Sequence, residues 1–160
     1  MTLDENVNEI RKRLRIFYAV LVAPAAVIFA LAYALRKLGV EPFENAGAGR
    51  IAGPAIFIAA AVLALALPIF HRGLFAHRLR GEKSVLPARY TVYQKTQIAL
   101  AATASYFALA GFLLNVSRFH LLGAVLFALY GLYYYYPSEL RIRREMRMFR
   151  VGDEFTKEDA

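Results

Sequence analysis

Polar and apolar positions fall into long separate blocks along this chain. Four stretches contain no Asp, Glu, Lys or Arg: Ile16–Leu35, Ile51–Phe70, Thr96–Asn115 and Phe119–Ser138. Each has 20 residues, and about 20 apolar residues at a rise of about 1.5 Å cross a hydrocarbon core of about 30 Å. The pattern predicts an all-α polytopic membrane protein, an antiparallel bundle of four transmembrane helices. Its spans are placed at about 16–35, 51–70, 90–115 and 119–137, with amphipathic juxtamembrane helices at both ends. Residues 1–138 then form one unit, and residues 139–160 a basic amphipathic helix with an acidic tail. No connecting stretch approaches the roughly 50 residues a soluble domain needs, which excludes a tethered Rossmann, kinase or nucleic-acid-binding module.

Both ends carry a helical stripe. Leu3, Val7, Ile10 and Leu14 repeat at i, i+4, i+7 and i+11, one face of a helix, and Thr2 with Glu5 forms a capping box. The lipid interface is the favoured home for this stripe, a neighbouring helix the alternative. At the other end, Ile142, Met146 and Phe149 line one face and Arg143, Arg147 and Arg150 the opposite one. Arg141, Arg143, Arg144, Arg147 and Arg150 are expected to meet anionic lipid headgroups, at about 1 kcal/mol for each basic residue near the surface. Beyond them, Asp153–Ala160 is expected to fray.

Charge adds an orientation. The formal net charge is +8. Of the twenty basic residues, all but Arg36, Lys37, Arg50 and Arg118 lie on alternating connections that share one side. Lys and Arg accumulate in cytoplasmic loops, so both termini are predicted to be cytoplasmic. The basic excess is thereby accounted for without nucleic acid as a partner. Asp4, Glu5 and Glu9 near the start, without a small-residue cleavage site, point to an uncleaved first span rather than a signal peptide. No lipidation motif is visible.

In lipid, helices associate through close approach at small residues, and each span has an alanine line. The lines are Ala19, Ala23, Ala26, Ala30 and Ala34 in the first span and Ala52, Ala55, Ala59 and Ala66 in the second. Gln97, Ala101, Ala104, Ala108, Gly111 and Asn115 form the third, and His120, Ala124, Ala128, Gly131 and Tyr135 the fourth. The last two are the predicted packing seam. Their spans, only Val116–Arg118 apart, form a hairpin in which Asn115 and His120 are expected to face each other. Pro24, in mid-helix, is expected to bend the first span and is the one candidate hinge. Pro54 stands in a first turn, where its missing donor is free, and Pro68 near the end of the same span.

Candidate chemistry is sparse. No ionisable side chain interrupts the span cores, which removes the usual machinery of proton-coupled transport and voltage sensing. The chain has no cysteine, so no disulfide or thiolate chemistry. His71 and His77 are placed at one face and His120 at the other, about 30 Å away, and no carboxylate or thiolate completes a metal site. Ser84, Ser105, Ser117 and Ser138 lack a base and an orienting acid. Glu41 and Glu44 in the outer loop read as solvated. Tyr133–Tyr136 reads as an interfacial aromatic belt, while Thr103 and Ser105 can bond back to their own helix. No enzyme activity and no cofactor or metal is predicted.

The run from Ile98 to Phe112, with Tyr134-Tyr-Tyr-Pro137 and the arginine-rich helix, resembles uncharacterised bacterial inner-membrane proteins of four spans. Those carry an Ala–Glu step in the third span, an Ala-Leu-x-Gly farther on and a Tyr/Phe-Pro before a basic helix. Ser105 stands here where their carboxylate tends to be. The resemblance implies a fold and a bacterial inner-membrane location, not an activity. The expected function is helix–helix association, as a subunit of a membrane complex or a small homo-oligomer. A passive channel or a small-molecule or lipid transporter is the alternative.

Overall fold

The structure is a computed structural model that describes residues 3–40 and 46–152. Thr2 of the capping box, Glu41, Glu44 and the acidic tail 153–160 lie outside the described residues. Among the described residues six α-helices follow one another: α1 (Leu3–Lys37), α2 (Ala46–Ala61), α3 (Leu67–Arg78), α4 (Pro87–Leu113), α5 (Arg118–Tyr134) and α6 (Glu139–Met148). Three stretches, Val7–Lys37, Ile51–Arg78 and Pro87–Leu113, are long and apolar enough to cross a membrane. A fourth qualifies when α5 is taken together with α6, across a bend of 72°.

The amphipathic start and the first span are one 35-residue helix, which runs through Pro24 without a break. Pro68 acts on its helix differently. It has no N–H for the carbonyl four residues back, and its ring crowds that carbonyl. The helix widens just upstream, over Val62–Ala66, into a π-helical segment, and the Leu67 N–H reaches back to the Val62 carbonyl. That single wide turn joins α2 to α3. Pro137 ends the α5 run, since the residue before a proline is disfavoured in helical conformation. Ser138 then caps α6, its hydroxyl accepting from the Arg141 N–H, and the chain leaves in a new direction.

Helix α4 is the centre of the arrangement, packed against α1, α2 and α5, while α1 also meets α6. Two cores result. The first is built from the alanine lines: Ala104 and Ala108 of α4, Ala124 and Ala128 of α5, and Ile56, Ala60 and Ala64 of α2 and the π turn. The second lies at the basic end and holds the larger side chains: Val7, Ile10 and Leu14 of α1, Tyr90 and Tyr93 of α4, Phe75 of α3, and Ile142 and Met146 of α6. A parallel bridge between Val85 and Val151 closes it. The Val85 N–H donates to Arg150 O and the Gly152 N–H to Val85 O, both at 3.1 Å.

Five expectations are corrected here. Pro54 lies inside α2, well past its first turn, because the helix begins at Ala46 rather than at Ile51. The stripes Val7–Ile10–Leu14 and Ile142–Met146–Phe149 meet each other and α4 instead of a lipid surface, because two apolar faces brought to one end cover each other. On α1, Ala19, Ala23, Ala26, Ala30 and Ala34 all point outward. The face turned to α4 is chosen by polar and aromatic pairs. The Tyr106 hydroxyl donates to Leu21 O at 2.7 Å, Arg36 donates to Phe112 O at 3.0 Å, and the Phe29 and Phe112 rings lie 4.7 Å apart. On α2, Ile56 and Ala60 face inward rather than Ala55 and Ala59, a choice left open by a helix that is alanine-rich all round. Finally, Asn115 does not face His120. Asn115 is exposed with φ +52°, and the His120 ring bonds Ser117 Oγ at 2.6 Å beside Phe57 and Phe119.

The hairpin therefore needs Asn115 for its backbone, not for a contact. Asparagine tolerates the left-handed region that other L-residues enter at a cost of roughly 1–2 kcal/mol. Asn115→Gly is expected to leave thermal stability unchanged, and Asn115→Val to lower it by about that cost. Equal melting temperatures for the two variants in detergent would remove this assignment.

Candidate functional site

The first half of α4 places Tyr90, Tyr93, Gln94 and Gln97 at i, i+3, i+4 and i+7, a single helical face. All four are buried. Gln94 Nε2 donates to the Tyr90 hydroxyl oxygen at 2.7 Å and to the Glu145 carboxylate. One turn on, Gln97 Nε2 donates to Pro68 O at 3.0 Å and to the Tyr93 hydroxyl oxygen at 3.1 Å. Tyr93 is sandwiched by aromatic neighbours, with Phe75 stacked at 4.1 Å and His71 at 5.4 Å. Buried side-chain polar groups are mostly paired, and the bonds to Glu145 and Pro68 O bind α4 to α6 and α3, while Gln97 Oε1 is buried without a partner among the described residues.

From α6, Glu145 enters this junction at 6% exposure. Arg141 Nε donates to its carboxylate at 3.0 Å. The same guanidinium donates to Tyr134 O at 2.6 Å and lies 4.8 Å from the Tyr135 ring centre. At the surface, Arg11 bridges to Glu139, which also takes Arg143 at 3.3 Å. A carboxylate, two amides and two phenols thus form a strut that fixes the angle of α6. Among the described residues no group of three or more His, Asp or Glu side chains is placed to hold a metal ion.

Outside the strut a cleft of about 680 Å³ opens between α1, α3 and the α5–α6 bend. Tyr18, Tyr133, Tyr134 and Tyr136 supply aromatic walls, and Arg72, Arg141 and Arg144 supply charge against the single acid Glu145. Arg72 donates to the Met148 sulfur at 3.6 Å. On the far side of Leu132 an apolar groove of about 250 Å³ runs between α1 and α5. Its only polar lining residue, Ser105, donates to Ala102 O at 2.6 Å. Thr103 likewise donates to Ala99 O at 2.8 Å.

The seam residues Gln97, Ala101, Ala104, Ala108 and Gly111 on α4, and Ala124, Ala128 and Gly131 on α5, are buried. His120 is half-buried and Asn115 exposed. Of the five arginines assigned to headgroups, Arg144, Arg147 and Arg150 are exposed, while Arg141 and Arg143 are half-buried in the pairs above. Sequence reasoning passed over Glu145 and Arg72. Glu145 sits beside Met146 and three residues after Ile142, an acid on an apolar face, and that mismatch was the available signal. For Arg72 no local pattern exists, since its neighbours in the cleft come from distant segments. Comparison with known proteins gives no match: no protein family, no curated protein and no solved structure aligns with this chain.

Proposed function

We propose that the chain is an integral membrane protein of four spans that acts without catalysis, by associating with other membrane helices, most simply a second copy of itself. In this reading the bundle crosses the bacterial inner membrane with both termini in the cytoplasm, following the distribution of basic residues. The observation that carries it is α1. Only 11% of its most apolar stretch is buried within the chain, against 28% and 50% for the two other long apolar helices. Its outward face holds Ala19, Ala23, Ala30 and Ala34, residues small enough for two backbones to approach closely. The competing reading, a passive channel or a lipid or small-molecule transporter, needs a path lined with polar groups. Thr103 and Ser105, the polar residues in mid-span, are tied to their own helix carbonyls.

The absence of native cysteine makes the test direct. Oxidation of membranes containing Ala23→Cys or Ala30→Cys is expected to give a disulfide-linked dimer, and Ile28→Cys, on another face of α1, a monomer. A monomeric mass in mild detergent, with no cross-link at any of the three positions and no co-purifying membrane protein, overturns the reading.

A further inference from the structure

The cleft and the groove meet at one residue. Leu132 lines both, and beside it the Tyr18 hydroxyl donates to the Leu132 carbonyl at 3.1 Å, which ties α1 to α5 at that level. On one side, Val22, Ala25, Phe29, Val125 and Leu129 leave an apolar channel open to the side. With Ser105 already bonded to its helix, nothing along the channel asks for a polar partner. On the other side, three arginines face one carboxylate among tyrosines, so two positive charges stand uncompensated. Among the described residues, neither Arg72 nor Arg144 has an acidic partner.

From this meeting of a bare apolar groove and a basic, aromatic mouth at Leu132, we propose that the protein holds a single anionic phospholipid. Its phosphate sits at Arg72 and Arg144 and one acyl chain lies between α1 and α5. Arginine binds phosphate through its planar array of donors, and tyrosine belongs at the headgroup level of a bilayer. A zwitterionic lipid fills the groove equally well and presents the same phosphate, but brings its own cation beside the arginines and so leaves their net charge uncompensated. Arg141 takes the smaller part, because its guanidinium is engaged by Glu145 and Tyr134. The proposal rests on residence in the bilayer and not on association through α1, whose alanine line borders the groove at Ala26 alone.

Native mass spectrometry of the full chain in mild detergent, titrated with phosphatidylglycerol or phosphatidylcholine, tests this and reports the oligomeric state in the same spectrum. One phosphatidylglycerol is expected to bind about thirtyfold more tightly than phosphatidylcholine, in line with the contribution of two basic residues at a headgroup. Arg72→Gln combined with Arg144→Gln is expected to abolish that preference while the helical circular dichroism is retained. Val125→Phe, which fills the groove, is expected to weaken both lipids. Inorganic phosphate at millimolar concentration is expected not to displace the lipid. Equal binding of the two lipids by the unmodified chain overturns the proposal, as does a preference that survives the double substitution, unaltered binding in Val125→Phe, or displacement by phosphate alone. A monomeric spectrum with lipid bound leaves the site standing and counts only against self-association.

Discussion

Replacing Glu145 with alanine is expected to lower the unfolding free energy by about 3–5 kcal/mol, the loss that follows when one partner of a buried ion pair is removed. Glu145 is 6% exposed and accepts from both Arg141 and Gln94. Without it the Arg141 guanidinium keeps only the Tyr134 carbonyl, and the Gln94 amide only the Tyr90 hydroxyl. Because the cost comes from stranding the survivors, replacing both Arg141 and Glu145 with methionine is expected to recover most of it. The contrasting case is Glu139, whose pairs with Arg11 and Arg143 are part-exposed. Glu139→Gln is expected to cost less than about 1 kcal/mol. Denaturation in mixed micelles, followed by circular dichroism, checks all three. A Glu145→Ala variant as stable as Glu139→Gln would mean that the strut does not hold α6.

Gly131→Leu is expected to be comparably damaging, at about 3 kcal/mol, the upper part of the range for overpacking. A β-carbon on Gly131 would lie 3.3 Å from the Ala64 Cβ and 3.4 Å from the Ala101 Cβ. Three helical segments therefore converge on a hydrogen atom, and a four-carbon side chain has nowhere to go without driving α5 away from both neighbours. Gly131→Ala needs the neighbours to yield by a few tenths of an ångström and is expected to cost about 1 kcal/mol. Gly73 supplies the opposite sign, since open space surrounds it on α3. Gly73→Ala is expected to stabilise by up to about 1 kcal/mol through helix propensity alone. The same micelle titration, with Gly131→Leu indistinguishable from Gly73→Ala, would show that the crossing is looser than described.

The helical class and the three long apolar stretches were legible because charge-free blocks of this length have few alternatives. Which line of a helix turns inward was less legible. Alanine marks a surface that permits close packing, and on α1 it is Ala25 and Ala32 that are buried, not the line Ala19–Ala34. Tyr18, Tyr106 and Arg36 decide the facing instead, through bonds to the carbonyls of Leu132, Leu21 and Phe112, partners 76 or more residues away. The same limit hid the strut. Tyr90 and Gln94 look like ordinary interfacial polar residues until Glu145 arrives from α6, and only its position among Ile142 and Met146 hinted at burial. The π turn was half legible. Pro68 announced a lost donor, but the neighbouring residues carry no signal that the helix answers by widening over Val62–Ala66 rather than by kinking.

The core at the basic end joins residues 7–14 to residues 142–151, the earliest and the latest parts of the structure to leave the ribosome. At roughly 5–20 residues per second, Val7, Ile10 and Leu14 wait on the order of ten seconds, uncovered, until their partners emerge. The hairpin of α4 and α5 can assemble in the meantime from contacts close in sequence, whereas the cap is the last thing to shut. During biogenesis the newborn chain therefore presents a greasy patch at Val7, Ile10 and Leu14 until α6 emerges, the moment at which a chaperone has most to shield.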